Sequence, residues 1–322
     1  CEAARRLDIA TVVISPDPTA PALQVCDRAI VAPLDEPGLG ARIAAISDAV
    51  TFEIESVPEV LLAELAAQQS LGHAVVYPDP TVMRLLKNKA TQKDWLVRQK
   101  FPTLPYMTSD NPKDEPSEIL KQFQLPIVQK AQQGGYDGYG VQVIEDSAGL
   151  QKLWPVSSTI EPFITGVREL AVIAVRAADG DIKIYEPTEL EFDVSKNILD
   201  AGIAPALVSS RLRDEALQLG RDVVEKLDGV GVFAIELFIT EDEQLLINEI
   251  SPRVHNSGHH TLDSCATSQF EQHMRAVAGQ PLGSSRQIAN SIMKNILYSQ
   301  SWENFCAHPP GIVPTSQHGV TF

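Results

Sequence analysis

Residues 248–259, NEISPRVHNSGH, carry the densest chemistry in the chain. An amide, Asn248, stands beside a carboxylate, Glu249, at the end of an apolar run. Arg253 and His255 follow in a turn-rich segment with Pro252, Asn256, Ser257 and Gly258. Oxygen ligands for a hard cation, a fixed positive charge and an imidazole therefore lie within one short span. Residues 231–240, GVFAIELFIT, are rich in β-branched and aromatic types and read as a strand. EDEQ at 241–244 reads as a turn, and LLINEI at 245–250 returns as a second strand. A turn centred between Asp242 and Glu243 sets Glu236 opposite Glu249, because paired positions in an antiparallel hairpin have a constant sum. Side chains so paired lie about 5 Å apart. Phe233, Ile235, Leu237 and Ile239 form one apolar face, and Glu236 shares the other with Ala234 and Phe238. Two carboxylates facing each other among apolar neighbours repel and lose hydration, so they need a cation or a shared proton. With an amide oxygen they suit Mg²⁺, which takes oxygen ligands and shares them with substrate phosphates. An ordinary amphipathic hairpin has the same alternation; Arg253 and His255 next door favour the metal–phosphate reading.

A second cluster begins at PIVQK, 126–130, a short apolar strand ending in Lys130. AQQGGYDGYGVQVI follows, with Gly134, Gly135, Gly138 and Gly140. The order is strand, loop, strand, so it is neither a P-loop nor a dinucleotide fingerprint, both of which open a helix. Glycines let backbone N–H groups approach a polyphosphate, and Lys130 supplies a point charge. A plain glycine hairpin has the same pattern. EPFITGVREL, 161–170, offers an extended run whose backbone can read an adenine edge, with Glu169 eight residues beyond Glu161 to take ribose hydroxyls. An edge strand with surface glutamates is the alternative.

These residues need a scaffold. Residues 1–80 alternate strands (ATVVIS, RAIV, AVTFEI, AVVYP) with helical patterns (LGARIAAIS, VLLAELAAQ), which predicts a βα layer with a parallel sheet. PDPT at 78–81 punctuates it. A helix over 84–99 and a loop at 102–117 follow. A first small sheet is predicted over 118–155 and a larger mixed sheet over 160–250. The helix at 211–228 carries Leu212, Ala216, Leu219, Val223 and Leu227 at helical spacing, a core stripe. Another helix covers 267–279.

A chain of 322 residues buries ample core and is expected to hold two or more domains. Its 44% hydrophobic and 21% charged content is ordinary for a globular protein. The cysteines, Cys1, Cys26, Cys265 and Cys306, form no CxxC pair, which fits a reducing cytoplasm better than a disulfide framework. No apolar run reaches membrane-spanning length. The net charge of −16 disfavours nucleic acid as a partner. Anionic substrates must then be held by local cations, with Lys89, Lys93, Lys130, Arg168 and Arg253 as candidates and Lys93 and Arg168 the weakest of them. His255, His259 and His260 form HxxxHH, but Pro252 and Gly258 oppose a helix that would present them as zinc ligands. Ser257 and His259 lack a nucleophile elbow.

In order along the chain stand NKATQK (88–93), KxxxGGYDGYG (130–140), EPFI…E (161–169), GVFAIELF (231–238), NEISPRVHNSGH (248–259) and TSQFEQHMRAVAGQPLG (267–283). This order resembles the ATP-grasp superfamily. The last two blocks closely resemble the 5-(carboxyamino)imidazole ribonucleotide synthases of purine biosynthesis, as do ISPDPTAPALQVCDRAI (14–30) and TFEIESVPEV (51–60). The resemblance implies an α/β and α+β fold: a truncated Rossmann-like domain over 1–82, missing its first strand, then an ATP-grasp domain over 83–285 with two sheets enclosing the nucleotide. A small lid subdomain is expected over about 100–158 and a remnant of a C-terminal domain over 286–322. It implies ATP and Mg²⁺ as cofactors, and bicarbonate and 5-aminoimidazole ribonucleotide as substrates. A cytoplasmic homodimer is the implied assembly.

By the same resemblance Lys89 and Lys130 hold phosphates, and Gly135, Tyr136, Asp137, Gly138, Tyr139, Gly140 and Val141 close over them. Glu161, Pro162, Phe163 and Ile164 meet adenine, Glu169 the ribose, and Phe192 the nucleotide. Glu236, Glu249 and Asn248 bind Mg²⁺, with Asn248 and Glu249 also near the nucleotide. Arg253 and His255 face bicarbonate or its phosphorylated form, and Glu53, Glu55 and Asn256 lie near the ribonucleotide. Where the family has a glycine-rich first loop, this chain begins at Cys1, and no basic segment resembling RKMGH ends it; a fragment of a longer enzyme is the simplest expectation. Tyr139 replaces an arginine of the family's glycine loop, YEPTE at 185–189 displaces a proline, and Phe192 stands where a histidine is common. The other readings are a catalytically silent ATP-binding fragment and a different ATP-grasp ligase, using formyl phosphate or biotin.

Overall fold

The computed structural model describes residues 1–134, 140–193 and 198–296. After α1 (Glu2–Arg6), the N-terminal region carries β1 (Val12–Ser15), β2 (Arg28–Val31), α2 (Leu39–Ala44), β3 (Ala49–Thr51), α3 (Glu59–Ser70) and β4 (Val75–Tyr77). The strands pair in parallel as expected, but as two two-stranded ladders, β1 with β2 and β3 with β4. Apolar faces of α2 and α3 cover them: Leu39, Ile43, Leu61, Leu62 and Leu65 pack with Val76, Phe52 and Met83.

The single helix expected at 84–99 is two, α4 (Pro80–Leu86) and α5 (Lys89–Arg98). Asn88 causes the break. Its side-chain oxygen accepts from the N–H groups of Ala90 (2.9 Å) and Thr91 (3.1 Å), satisfying donors that a helix start leaves open. The new start puts Lys89 first in α5, with Gln92 and Lys93 one turn later on the same side.

A four-stranded antiparallel sheet follows, built from β5 (Met107–Ser109), β6 (Ile127–Ala131), β7 (Val141–Ile144) and β8 (Ser158–Pro162) in the order β5-β8-β6-β7. It is wider than the expected 118–155, since both β5 and β8 fall outside that span, and residues 116–122 form helix α6 (Pro116–Gln122). Ile119, Ile127, Ile144, Leu153 and Ile160 make its core. Because β8 belongs here, Val128 pairs with Glu161, and Lys130 lies diagonal to Glu161 on the same face.

The larger sheet contains β9 (Arg168–Arg176), β10 (Ile182–Ile184), β11 (Thr188–Asp193), β12 (Ile198–Ala204), β13 (Gly231–Ile239), β14 (Leu245–Ser251) and β15 (Ser291–Lys294). Its order is β14-β13-β9-β11-β12-β15, with β10 on β9. The described ladders are antiparallel throughout, not mixed as expected, and hairpins account for several of the connections. Residues 291–294, expected in a C-terminal remnant, complete this sheet beside β12; residues 297–322 lie outside the described part.

Helix α7 (Ser210–Leu227) seals one face. Leu212, Ala216, Val223, Val224 and Leu227 meet Val172, Ala174, Phe233 and Ile235. At Gly220 a Cβ would lie 2.7 Å from Val172 Cγ1, so this position must be bare for the helix to sit so close. The opposite face carries Ala171, Leu190, Leu199 and Met293, with Phe192 against them. Short α8 (Thr261–Ser264) and α9 (Gln269–Val277) close the fold beside β13 and the N-terminal region. Among the described residues no helix is long and apolar enough to cross a membrane.

The break before α5 generates the first prediction. Asn88→Ala removes the cap and should cost about 1 kcal/mol of stability, read as a lower urea midpoint at unchanged m-value. An unchanged midpoint would contradict the capping account.

Candidate active site

The hairpin β13–β14 places Glu236 directly opposite Glu249, as the residue count predicted. The reason differs. From the turn upward the pairs are Ile239–Leu245, Phe238–Leu246 and Leu237–Ile247, a tighter register than the expected one. A one-residue bulge then inserts Asn248 and restores the Glu236–Glu249 pairing. In a regular strand Asn248 and Glu249 point to opposite faces. The bulge re-aims Asn248, so both serve one site. Asn248 Oδ1 accepts from Lys130 Nζ at 2.8 Å, and its Nδ2 lies 3.4 Å from Glu236 Oε2.

Three lysines meet these acids. Lys89 pairs with Glu249. Lys130 reaches Glu161 at 2.8 Å. Lys93 lies 3.2 Å from the same carboxylate and donates to Thr103 Oγ1 at 2.8 Å. Thr103 in turn donates to the carbonyl of Ile247, beside the bulge. Gln92 fastens α5 to β14: its Oε1 accepts from Ile250 N–H (2.8 Å) and its Nε2 donates to Ile250 O (3.0 Å). The void among these side chains is about 10 Å³, room for roughly one water. A wider groove of about 480 Å³, between α7 and β10, lies behind the sheet, away from Glu236.

Charge and burial divide the acids into two kinds. Burial alone raises Glu161 and Glu249, but Lys130 and Lys93 outweigh it for the first and Lys89 for the second, so both are held below the usual carboxylate range. Among the described residues Glu236 has no ammonium of its own. Burial, then Glu249 and Glu169, push it up to about 8. Burial pushes Glu169 up to about 7, and burial draws the Lys93 ammonium down to about 8.

Glu161 faces Lys93 and Lys130. Of the stretch expected to meet adenine, Pro162 and Ile164 are half-buried and Phe163 is 40% exposed, bridging the two sheets. Glu169 pairs with Phe238 and shares the face of Glu236. Phe192 packs on that face with Leu190 and Leu199. Val141 pairs with Lys130, and the Gly140 carbonyl accepts from Ala131 N–H at 2.8 Å. Gly135, Tyr136, Asp137, Gly138 and Tyr139 lie outside the described residues.

Arg253 bridges to the N-terminal region through Glu55, at 3.1 Å. Glu53 is exposed nearby. Asn256 is half-buried, and its Oδ1 has no partner. His255 Nδ1 lies 2.8 Å from Ser257 Oγ and accepts from Ser257 N–H at 3.4 Å, which assigns the ring proton to Nε2. That nitrogen lies 3.5 Å from Glu236 Oε1. Burial, with Arg253 close by, draws His255 down to about 4, so the ring is neutral at pH 7 and acts as a donor at Nε2.

Residues 94–270 match the ATP-grasp domain family, and residues 1–87 match the ribonucleotide synthetase preATP-grasp domain. The chain is 35% identical to the N5-carboxyaminoimidazole ribonucleotide synthase of Brucella melitensis over 307 residues, 92% of this chain and 81% of that protein. The crystal structure of the synthetase from Thermotoga maritima superposes with a TM-score of 0.81 at 32% identity, covering 92% of this chain and 76% of that one. The chain belongs to the N5-carboxyaminoimidazole ribonucleotide synthase family. A second family structure, the Aspergillus clavatus synthase in complex with ADP and 5-aminoimidazole ribonucleotide, has a TM-score of 0.80 at 28% identity and covers 92% of this chain and 77% of its own.

Within this family member, Lys93 is the site residue that sequence reasoning undervalued. It is almost fully buried at the centre of the lysine cluster. Its signal was present: it stands four residues after Lys89 on one helical side. Arg168, the other discounted cation, is exposed and bonds Glu189 and the Leu207 carbonyl. The histidines of HxxxHH do not converge. His260 bonds Thr188 and Ser264, and His259 lies against Phe270. Among the described residues no group of three or more His, Cys, Asp or Glu forms a metal cage.

Three imidazoles, His255, His260 and His273, are drawn down to about 4 by burial. Between pH 6.5 and 4 the unfolded chain binds protons that the folded chain refuses, so each contributes stability above pH 6.5 that is lost as pH falls through this window. His260→Gln should remove about one proton from the slope of unfolding free energy against pH near pH 5, measured by urea denaturation. An unaltered slope would exclude a buried neutral His260.

Proposed function

We propose that this chain is an ATP-dependent carboxylating ligase acting on the exocyclic amine of 5-aminoimidazole ribonucleotide, with bicarbonate as carbon source. The products are N5-carboxyaminoimidazole ribonucleotide, ADP and phosphate, a step of purine biosynthesis. The observation that carries the reading is the bulged hairpin. It sets Glu236, Glu249 and Asn248 against Lys89, Lys93 and Lys130, in a chain of this family.

Bicarbonate resists attack because it is an anion with a poor leaving group. A bicarbonate oxygen takes the γ-phosphoryl group of ATP, releasing ADP and forming carboxyphosphate. The ribonucleotide amine then attacks the carboxyl carbon, or the CO₂ set free from it; the carbon–phosphate oxygen bond breaks, phosphate departs and the amine loses a proton. The protein's work is positioning and charge neutralisation. Lys89 and Lys130 leave their carboxylates for the β- and γ-phosphates. Lys93 stays with Glu161 and holds that acid ionised. Arg253, between Glu55 and the hairpin, steadies charge on the transferring group, and His255 donates from Nε2 to bicarbonate.

The donor set fits Mg²⁺. Two facing carboxylates, one pushed up to about 8 by burial and its acidic neighbours, and one amide oxygen leave room for phosphate oxygens to complete the shell. Mg²⁺ held by Glu236, Glu249 and Asn248 would neutralise phosphate charge.

ADP release should require both bicarbonate and 5-aminoimidazole ribonucleotide in a steady-state assay; ATP turnover indifferent to either sinks the assignment. Glu249→Ala should cost several kcal/mol of transition-state stabilisation, on the order of a thousandfold in kcat/KM. Near-normal turnover in that variant would remove the metal role. Glu169, raised to about 7 without nucleotide, must be ionised to accept ribose hydroxyls, so binding lowers its pKa and releases a proton. ADP affinity without metal should therefore rise from pH 6 to pH 8 more steeply in wild type than in Glu169→Gln, by calorimetry. Equal pH profiles would place the ribose elsewhere.

A further inference from the structure

His273 lies outside the phosphate site, yet it touches both halves of the molecule. It sits on α9, 6% exposed, with its ring over Gly231 at the start of β13. A Cβ at Gly231 would stand 3.1 Å from the ring, so the bare strand start admits the imidazole. Its Nδ1 accepts from Val232 N–H at 3.1 Å. The ring proton is therefore on Nε2, which lies 2.8 Å from Thr51 Oγ1. Both ring nitrogens are used, one on each domain.

The two ends of this tether are informative. Val232 is the second residue of β13, which carries Glu236 four residues later. Thr51 ends β3, and the chain runs from it through buried Phe52 to Glu53 and Glu55. Phe52 anchors the segment to its own domain core, and Arg253 binds its far end through Glu55. Between these, the His273–Thr51 bond fixes the near end against β13. The imidazole is rigid, so the span from Val232 to Thr51 has little freedom.

We propose that His273 is a positioning residue for the carboxylation: its Nε2–H bond to Thr51 sets the 51–55 segment at a fixed separation from the β13–β14 hairpin, and so places the ribonucleotide amine against the phosphorylated bicarbonate. The proposal rests on the assignment of Glu53 and Glu55 to the ribonucleotide. His273 touches no substrate. Its effect falls on the nucleotide that the N-terminal side holds and leaves ATP, held by the hairpin and the lysines, untouched.

Thr51→Val keeps the shape and removes the acceptor; Thr51→Ser keeps the hydroxyl. Thr51→Val should raise KM for 5-aminoimidazole ribonucleotide about tenfold, the scale of one lost hydrogen bond, with KM for ATP held within about twofold. Thr51→Ser should restore the ribonucleotide KM. In nitrogen-15 spectra of the imidazoles, the His273 Nε2 proton should exchange slowly with water in wild type and faster in Thr51→Val. An unchanged ribonucleotide KM in Thr51→Val, or a parallel rise of both KM values, overturns the positioning role. Unchanged proton exchange overturns the tether itself, and that comparison needs no turnover. Wild-type ATP turnover that ignores the ribonucleotide would instead defeat the functional reading, while the exchange comparison still decides the tether.

Discussion

Opposite charges packed into a space that holds one water molecule set the terms for everything around them. Lys89, Lys93 and Lys130 are each at most 14% exposed, and Glu161 is 1% exposed. A charge buried this deeply is tolerated only with a partner at hydrogen-bond distance. Each ammonium finds one: Lys89 in Glu249, Lys93 and Lys130 in Glu161. Glu236 is the exception. With no ammonium of its own among the described residues, it resists ionisation, and its pKa near 8 records the cost. The site thus holds one acid in want of a cation, and lysines whose partners a polyphosphate can replace.

The fold reads as the means of assembling that cluster. Its charges come from three elements distant in the chain: α5, the small sheet and the β13–β14 hairpin. Two of them needed a local irregularity. Asn88 interrupts a helix so that Lys89 begins a new one. The bulge at Asn248 turns two consecutive side chains into one site. Gln92 locks α5 to the backbone of β14 by two bonds, so the lysines on its helical turn cannot drift from the hairpin. Behind the hairpin, α7 seals the apolar face so closely that Gly220 cannot bear a side chain. Rigid backing on one face leaves the other free to carry charge.

What could be read in advance followed from distance along the chain. Alternation and turn chemistry are local, so the hairpin and the long helix α7 were visible, and the facing of Glu236 and Glu249 came from counting. The count succeeded although the turn was misjudged, because a tighter turn and a bulge cancel. No residue type announces a bulge. The helix break was legible in principle, since Asn88 is a strong cap, but the apolar pattern continues across it. The partnership of β8 with β6 was not legible: a strand's sequence states that it is a strand, not which sheet receives it. For the same reason the lysine partners of Glu161 were not foreseen. Lys93 stood out only as a weak candidate, and His273 was hidden completely. Each looks like an ordinary helical residue until folding brings Glu161 to the one and Thr51 to the other.

The chain's net charge of −16 opposes the approach of anionic nucleotide substrates. Screening removes the conflict. At physiological salt the Debye length is about 8 Å, so most surface acids act weakly on the cleft. Buried charges are screened much less. Lys89 and Lys130, nearly dry, therefore outweigh a larger number of distant carboxylates for an anion that reaches them. The same asymmetry selects among polyanions. A small anion that reaches the cleft meets buried ammonium groups, whereas a nucleic acid must approach the acidic exterior along its length and gains no comparable contact. An acidic surface around a few buried ammonium groups therefore disfavours a long polyanion more than a small one.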